Sequence, residues 1–139
     1  MNVIMFEKKF GTEKACQDYL FNLKFKDGFV CENCGCTEYW VTTEYVYICQ
    51  ECRKHVHLTS GTIFQDTHKP LSVWFRAMWW ITSQKNGASA LGIQRVLGIG
   101  SYKTAWTWLH KLRVAMVRSG REKLKGRIEV DEAYIGGKR

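Results

Sequence analysis

Residues 86–118 read NGASALGIQRVLGIGSYKTAWTWLHKLRVAMVR, a stretch that carries its own start and stop signals for two consecutive helices. Ser89 is placed to cap the first, in which apolar Ala90, Ile93 and Leu97 recur at three- and four-residue spacing. Gly98 follows the last periodic residue and supplies the left-handed conformation that closes a helix at little steric cost. Ser101 then stands as cap to a longer helix whose apolar stripe is Ala105, Trp108, Leu109, Leu112, Ala115 and Met116. The other side of that helix holds Lys103, Thr107 and His110, flanked by Trp106, Lys111 and Arg113. Two helices joined by a short Gly-containing turn form a helix-turn-helix, which can present its second helix to the major groove of DNA. Side chains near the start of that helix approach base edges, while Lys and Arg farther along meet phosphates. Those six residues are therefore the candidate DNA contacts.

A helix pair can also pack a core without touching DNA, and charge separates the two readings. From Leu71 to Ile128 there are eleven basic residues against the single acid Glu122, a net of +10. The rest of the chain carries 10 basic and 12 acidic residues, so this segment supplies all of the net +8. A solvated helix face mixes signs, whereas a segment of one sign points to a polyanion.

With 139 residues, 45% of them hydrophobic, the chain is long enough to bury a core as one domain or two very small ones. No apolar run approaches the roughly 18 residues of a spanning helix, and MNVIMFEKKF lacks the apolar core of a secretion signal. These features exclude a membrane partner and predict a cytoplasmic, nucleoid-associated protein, a setting in which paired cysteines signal metal more often than disulfide.

Cys31-Glu-Asn-Cys34-Gly35 and Cys49-Gln-Glu-Cys52 are such pairs. Each can form a knuckle with both thiolates facing one way, and two knuckles complete a tetrahedral four-sulfur site for structural Zn2+, with Cys31, Cys34, Cys49 and Cys52 as ligands. With no open coordination position, the site is a fold staple. Cys36, two residues beyond Cys34, could compete as a ligand, although a free thiol is the simpler reading. Residues Tyr39 to Val41, Glu44 to Ile48 and Lys54 to Thr59 have strand composition, which describes a zinc ribbon of short antiparallel strands with His55 and His57 at its surface. From Cys31 to Pro70 five acids outnumber three bases. This sign suits support of the neighbouring helices, or contact with another protein domain, better than phosphate binding.

Upstream, Thr12 is placed to cap a short helix with Ala15, Tyr19, Leu20 and Leu23 on one face and Cys16 beside it as a small buried hydrophobe. Downstream of the ribbon, Pro70 stands at the start of LSVWFRAMWWITS, where Leu71, Trp74, Phe75, Met78, Trp79 and Thr82 fall at helical spacing as core, with Trp80 off the stripe. SGREKLKG reads as a linker, and in RIEVDEAYIGGKR the alternation of Ile128 and Val130 with Glu129 and Asp131 is strand periodicity. The expected fold is α+β. Residues 1–30 form an N-terminal helical segment, 31–69 the ribbon, 70–118 a three-helix unit containing the helix-turn-helix, 119–126 a linker and 127–139 an isolated strand.

The segments TEKACQDYLFNLKFKDGFVCENCG, YICQECRKH, LTSGTIFQDTHKPLSVWF, KNGASALGIQRVLGIGSYKTAWTWLHKLRVAM and EVDEAYIGGK, in this order and spacing, resemble the DDE transposases of bacterial insertion sequences that carry an N-terminal zinc ribbon. The resemblance covers nearly the whole chain. It implies that ribbon and helix-turn-helix recognise the terminal inverted repeats of an element. It further implies that EVDEAYIGGK opens an RNase H-like catalytic domain in which Asp131 is the first of three metal-binding carboxylates. Two divalent ions, usually Mg2+, clamp the scissile phosphate in that chemistry, and the carboxylates must converge on them from separate elements. The other two acids of the pattern would lie beyond residue 139, so Mg2+ and DNA cleavage are expected only of a complete catalytic domain. The first knuckle lacks the Pro that often follows the first Cys in the family, a departure that leaves zinc binding intact.

Three functions compete on these grounds. One is the DNA-binding portion of a transposase, partnered by DNA and by the full-length enzyme or a second copy. Another is a free-standing DNA-binding regulator or transposition inhibitor, for which EVDEAYIGGK has no purpose. A protein-interaction ribbon, the third, leaves the +10 segment unexplained.

Overall fold

The computed structural model describes residues 1–42, 45–117 and 120. Among them the architecture is α+β: helices α1 (Val3–Phe10) and α2 (Glu13–Lys24), strands β1 (Tyr39–Val41), β2 (Val46–Cys49) and β3 (His55–His57), then helices α3 (Leu71–Ser83), α4 (Ala90–Leu97) and α5 (Tyr102–Met116). The strands form an antiparallel meander in the order β1-β2-β3, with Tyr39 opposite Cys49 and Tyr47 opposite Val56. The expected linker apart from Gly120, the expected C-terminal strand, and Glu44 at the start of the second expected strand lie outside the described residues.

Local signals explain several of the helix boundaries. The Asn2 side chain accepts the Met5 N–H at 2.8 Å, Thr12 accepts that of Ala15 at 3.2 Å and Ser89 that of Gly92 at 3.0 Å, so α1, α2 and α4 each begin on a side-chain cap. Gly98 closes α4 at φ +63°, and its N–H and that of Ile99 both reach back to the Gln94 carbonyl. Ser101 occupies the expected capping position of α5 with extended backbone, but its side chain accepts no hydrogen bond from the helix.

Helix α1 was not foreseen, although Phe6 and Phe10 sit four residues apart and are both buried. They pack on α3, with ring centroids 5.7 Å apart for Phe6 and Trp79 and 5.0 Å for Phe10 and Phe75. In α2 the buried line runs through Cys16 and Leu20, while Tyr19 and Leu23 are on the exposed side of it. The rotation follows from the position of this helix, which is flanked by aromatic neighbours on two sides. Phe21 stacks on Tyr47 of the sheet at 4.7 Å, and Tyr19 meets Phe10 edge-on at 5.0 Å. Cys16 is the buried hydrophobe expected; burial, then the Glu13 charge, push its thiol up to about 11.

Further contacts hold the ribbon side to the helices. The Lys24 ammonium donates to the carbonyls of His57, Leu58 and Ser60 at 3.1, 3.4 and 2.8 Å, pinning the exit from β3 to the end of α2. Burial lowers the pKa of this lysine, partly offset by Glu32. The Leu58–Pro70 segment then buries Phe64 against Trp74 and Phe75, and the Trp74 indole donates to Thr67 Oγ1 at 2.7 Å. Trp74 in turn stacks on Trp108 of α5 with centroids 3.7 Å apart. The α3 stripe is core at Leu71, Trp74 and Phe75, with Ala77 fully buried beside it; Met78 and Trp79 are half-buried, and Thr82, expected on the same stripe, is exposed at the end of the helix. The α5 stripe holds from Ala105 to Leu112 and then fails: Ala115 and Met116, in the last turn of this longer helix, are exposed among the described residues.

Candidate metal centre and nucleic-acid interface

The two Cys pairs fold into knuckles of the same design. In the first, Gly35 at φ +75° donates its N–H to the Cys31 carbonyl at 2.8 Å, and the Cys31 N–H reaches the Cys36 carbonyl at 2.9 Å. In the second, Arg53 at φ +57° donates to the Cys49 carbonyl at 3.1 Å and the Cys49 N–H reaches the Lys54 carbonyl at 3.1 Å. Each knuckle thus needs a left-handed residue four positions after its first Cys. Glycine supplies this freely in the first, and the second places a non-glycine residue there.

The register β1-β2-β3 sets the knuckles face to face, and the sulfurs of Cys31, Cys34, Cys49 and Cys52 all lie within 4.8 Å of one another. The closest pairs, Cys31 with Cys52 and Cys34 with Cys49, are 3.5 Å apart. A tetrahedral ion with sulfur at about 2.3 Å needs edges of roughly 3.8 Å, so the cluster has the size and the donor chemistry for a structural Zn2+. Thiols this close cannot all ionise unaided. Hydrogen bonding from the Lys54 backbone holds the Cys52 thiol down to about 6. At Cys34 a backbone hydrogen bond from Cys36 favours the thiolate, but desolvation and the neighbouring sulfurs win and push it up to about 12. A divalent cation removes that conflict. Cys36 is not in the cluster; its sulfur accepts the Glu38 N–H at 3.3 Å. His55 and His57 are exposed on β3 and also stand apart from it.

The second candidate site is the outward side of α5. Lys103, Trp106, Thr107, His110, Lys111 and Arg113 are all exposed, and they share one helix. Trp106 and His110, one turn apart, bring their rings to 3.9 Å. The Thr107 hydroxyl donates to the Lys103 carbonyl at 2.9 Å. Arg113 is engaged within the fold, since its guanidinium donates to the Ala88 carbonyl at 3.2 Å and ties α5 to the residue before the cap of α4. From Leu71 to Val117 there are six basic residues and no acid, and all six are exposed. Asp131 lies outside the described residues.

One component escaped the sequence reading. A groove of about 270 Å³ runs along α5, with Lys103, Thr104, Thr107 and Lys111 on one wall and Gln65, Asp66 and Thr67 on the other, over the Trp74 and Trp108 edges. The segment before α3 has no periodicity and few charges, so only its long-range packing reveals that it borders the helix. Among the described residues no helix is long and apolar enough to cross a membrane.

Residues 11–55 match the model of the transposase zinc-ribbon domain. Over 132 residues the chain is 24% identical to an uncharacterized protein in transposable element ISH50 of Halobacterium salinarum, covering 92% of the chain and 44% of that relative. The chain therefore spans less than half the length of the curated relative it matches. No solved structure matches it. Both likenesses are to transposase-related sequences, and together with the four clustered cysteines the ribbon match supports a structural zinc.

Proposed function

We propose that this chain is the DNA-recognition portion of a DDE-type insertion-sequence transposase, binding the terminal inverted repeats of its element. The observation that carries the reading is the outer side of α5, exposed, basic and free of acids on the second helix of a pair joined through a left-handed glycine. In this reading α4 and α5 act as a helix-turn-helix. Lys103, Thr107 and His110 approach base edges, Trp106 flanks them, and Lys111 and Arg113 meet phosphates. The +10 charge of residues 71–128 supplies the sequence-independent part of the affinity.

Cys31, Cys34, Cys49 and Cys52 are the proposed zinc ligands, and the metal would supply folding energy alone, because four thiolates leave no site for a reacting group. The ribbon is a scaffold: through Lys24 and the Leu58–Pro70 segment it fixes the platform on which α3 and α5 rest. Asp131 is proposed as the first carboxylate of a catalytic set that uses Mg2+ and is completed by acids outside this sequence. Residues 1–69 then support, 70–118 read DNA, and 119–126 lead into catalysis.

The test is binding of the zinc-loaded chain to a duplex carrying the inverted repeat that flanks its gene, against a scrambled duplex of equal length, at physiological salt. Preference for the repeat of tenfold or more is expected. Equal affinity for the two duplexes would reduce α5 to a nonspecific basic surface.

A further inference from the structure

The groove beside α5 contains an arrangement that general DNA affinity does not require. Asp66 is a carboxylate lining the same groove as Lys103 and Lys111, yet it makes no ion pair and accepts no hydrogen bond among the described residues. An acid next to a phosphate-binding helix opposes binding to every sequence unless it gains a contact on the bases.

Its segment is also tied down by hydrogen bonds. Gln65 Oε1 accepts the Gly61 N–H at 3.2 Å, the Thr67 N–H reaches the Phe64 carbonyl at 3.2 Å, and Thr67 Oγ1 accepts the Trp74 indole N–H at 2.7 Å. Phe64 beneath it is buried, while Gln65 and Asp66 are exposed. Asp66 itself adopts φ +59°, a left-handed conformation that Asp, Asn and Gly tolerate better than other residues. The result is a hydrogen-bonded corner that presents one carboxylate, and beside it the amide NH2 of Gln65, along the edge of the proposed recognition helix.

We infer that the Gln65–Asp66 corner is a second base-reading element, in which Asp66 accepts a hydrogen bond from the exocyclic amino group of a cytosine next to the bases met by Lys103 and Thr107. Cytosine N4 is the major-groove donor that a carboxylate reads, and a contact of this kind discriminates against other bases by roughly tenfold. The inference rests on the reading of α5 as a major-groove helix. It adds that sequence preference is divided between that helix and the segment packed beside it.

The experiment is selection of duplexes from a randomised 20-base-pair pool by the zinc-loaded chain and by two variants, Asp66→Gly and Asp66→Asn. Both replacements suit the left-handed backbone, and unchanged thermal midpoints would verify that the fold is kept. Wild type should select a motif containing a cytosine whose enrichment falls about tenfold in Asp66→Gly, with the other positions retained. In Asp66→Asn the same position should shift towards adenine, whose N6 and N7 an amide side chain pairs. A folded Asp66→Gly that selects the wild-type motif, whether with equal or uniformly higher affinity, would overturn the inference and leave the α5 reading standing. A wild type that selects no motif would overturn both.

Discussion

The Glu13 carboxylate, in the first turn of α2, accepts the backbone N–H of Leu71 at 2.7 Å and thereby caps α3 from 58 residues away. Its second oxygen takes the Ser72 N–H at 2.8 Å. Pro70 occupies the cap position of α3 and has no side-chain acceptor, so two of the orphan donors at that helix start depend on a residue from another element. The negative charge also sits at the positive end of the α3 dipole.

Replacing Glu13 with Ala is therefore expected to cost about 2 kcal/mol, in the range for hydrogen bonds to a charged group. Replacement with Gln, which keeps one acceptor and loses the charge, should cost about half as much. Thermal unfolding of the zinc-loaded chain measures both, and for a chain of this size the Ala variant should melt roughly 7 °C lower. A shift of less than about 1 °C for Ala would mean that water satisfies Leu71 and Ser72 equally well.

This contact also marks the limit of what the sequence conveys. Features set by neighbours in the chain were legible: the caps at Thr12 and Ser89, the stop at Gly98, and the Cys spacing whose sulfurs converge within 4.8 Å. The exposed set on α5 was legible for the same reason, because helical period alone separates Lys103 and Thr107 from Trp108 and Leu109. Features set by distant partners were not. Glu13 reads as an ordinary first-turn acid, and Asp66 only as one of the five acids between Cys31 and Pro70. The rotation of the α2 stripe and the exposure of Ala115 and Met116 likewise depend on what lies opposite, which periodicity does not encode.

The metal centre gives a paired expectation for cysteine. Cys49→Ser should lose stoichiometric zinc and unfold the ribbon, since Cys49 is fully buried and both knuckles share the ion. Cys36→Ser should keep one zinc per chain, because its sulfur is occupied with Glu38 outside the cluster. Elemental analysis of the purified variants decides the matter. Zinc retained by Cys49→Ser, or lost by Cys36→Ser, would show the ligand set to be wrong.

Gly98 sets the connection between α4 and α5. At φ +63° an alanine is strained by roughly 1–2 kcal/mol, and an asparagine by less. In urea unfolding Gly98→Ala should lower the midpoint with an unchanged slope, and Gly98→Asn should fall between it and wild type. Equal stability of all three would mean that the turn relaxes to another conformation.

Salt dependence tests which cations on α5 meet phosphates. Each phosphate neutralised adds about 0.9 to the slope of log affinity against log salt, so Lys111→Ala should reduce that slope by nearly one unit on both specific and scrambled duplexes. Arg113 is a different case. Its guanidinium is bonded to the Ala88 carbonyl at 3.2 Å, a contact that fixes α5 against the start of α4. If that bond persists on DNA, Arg113→Ala should lower preference for the repeat by loosening the angle of the helix while changing the slope by much less than one unit. If the slope falls by a full unit instead, Arg113 must leave Ala88 for a phosphate, and binding then includes a rearrangement of this side chain. Fluorescence anisotropy titrations from 50 to 300 mM salt, run in parallel on the two variants and wild type, distinguish these outcomes. A slope near zero for wild type would remove DNA as the partner of α5 altogether.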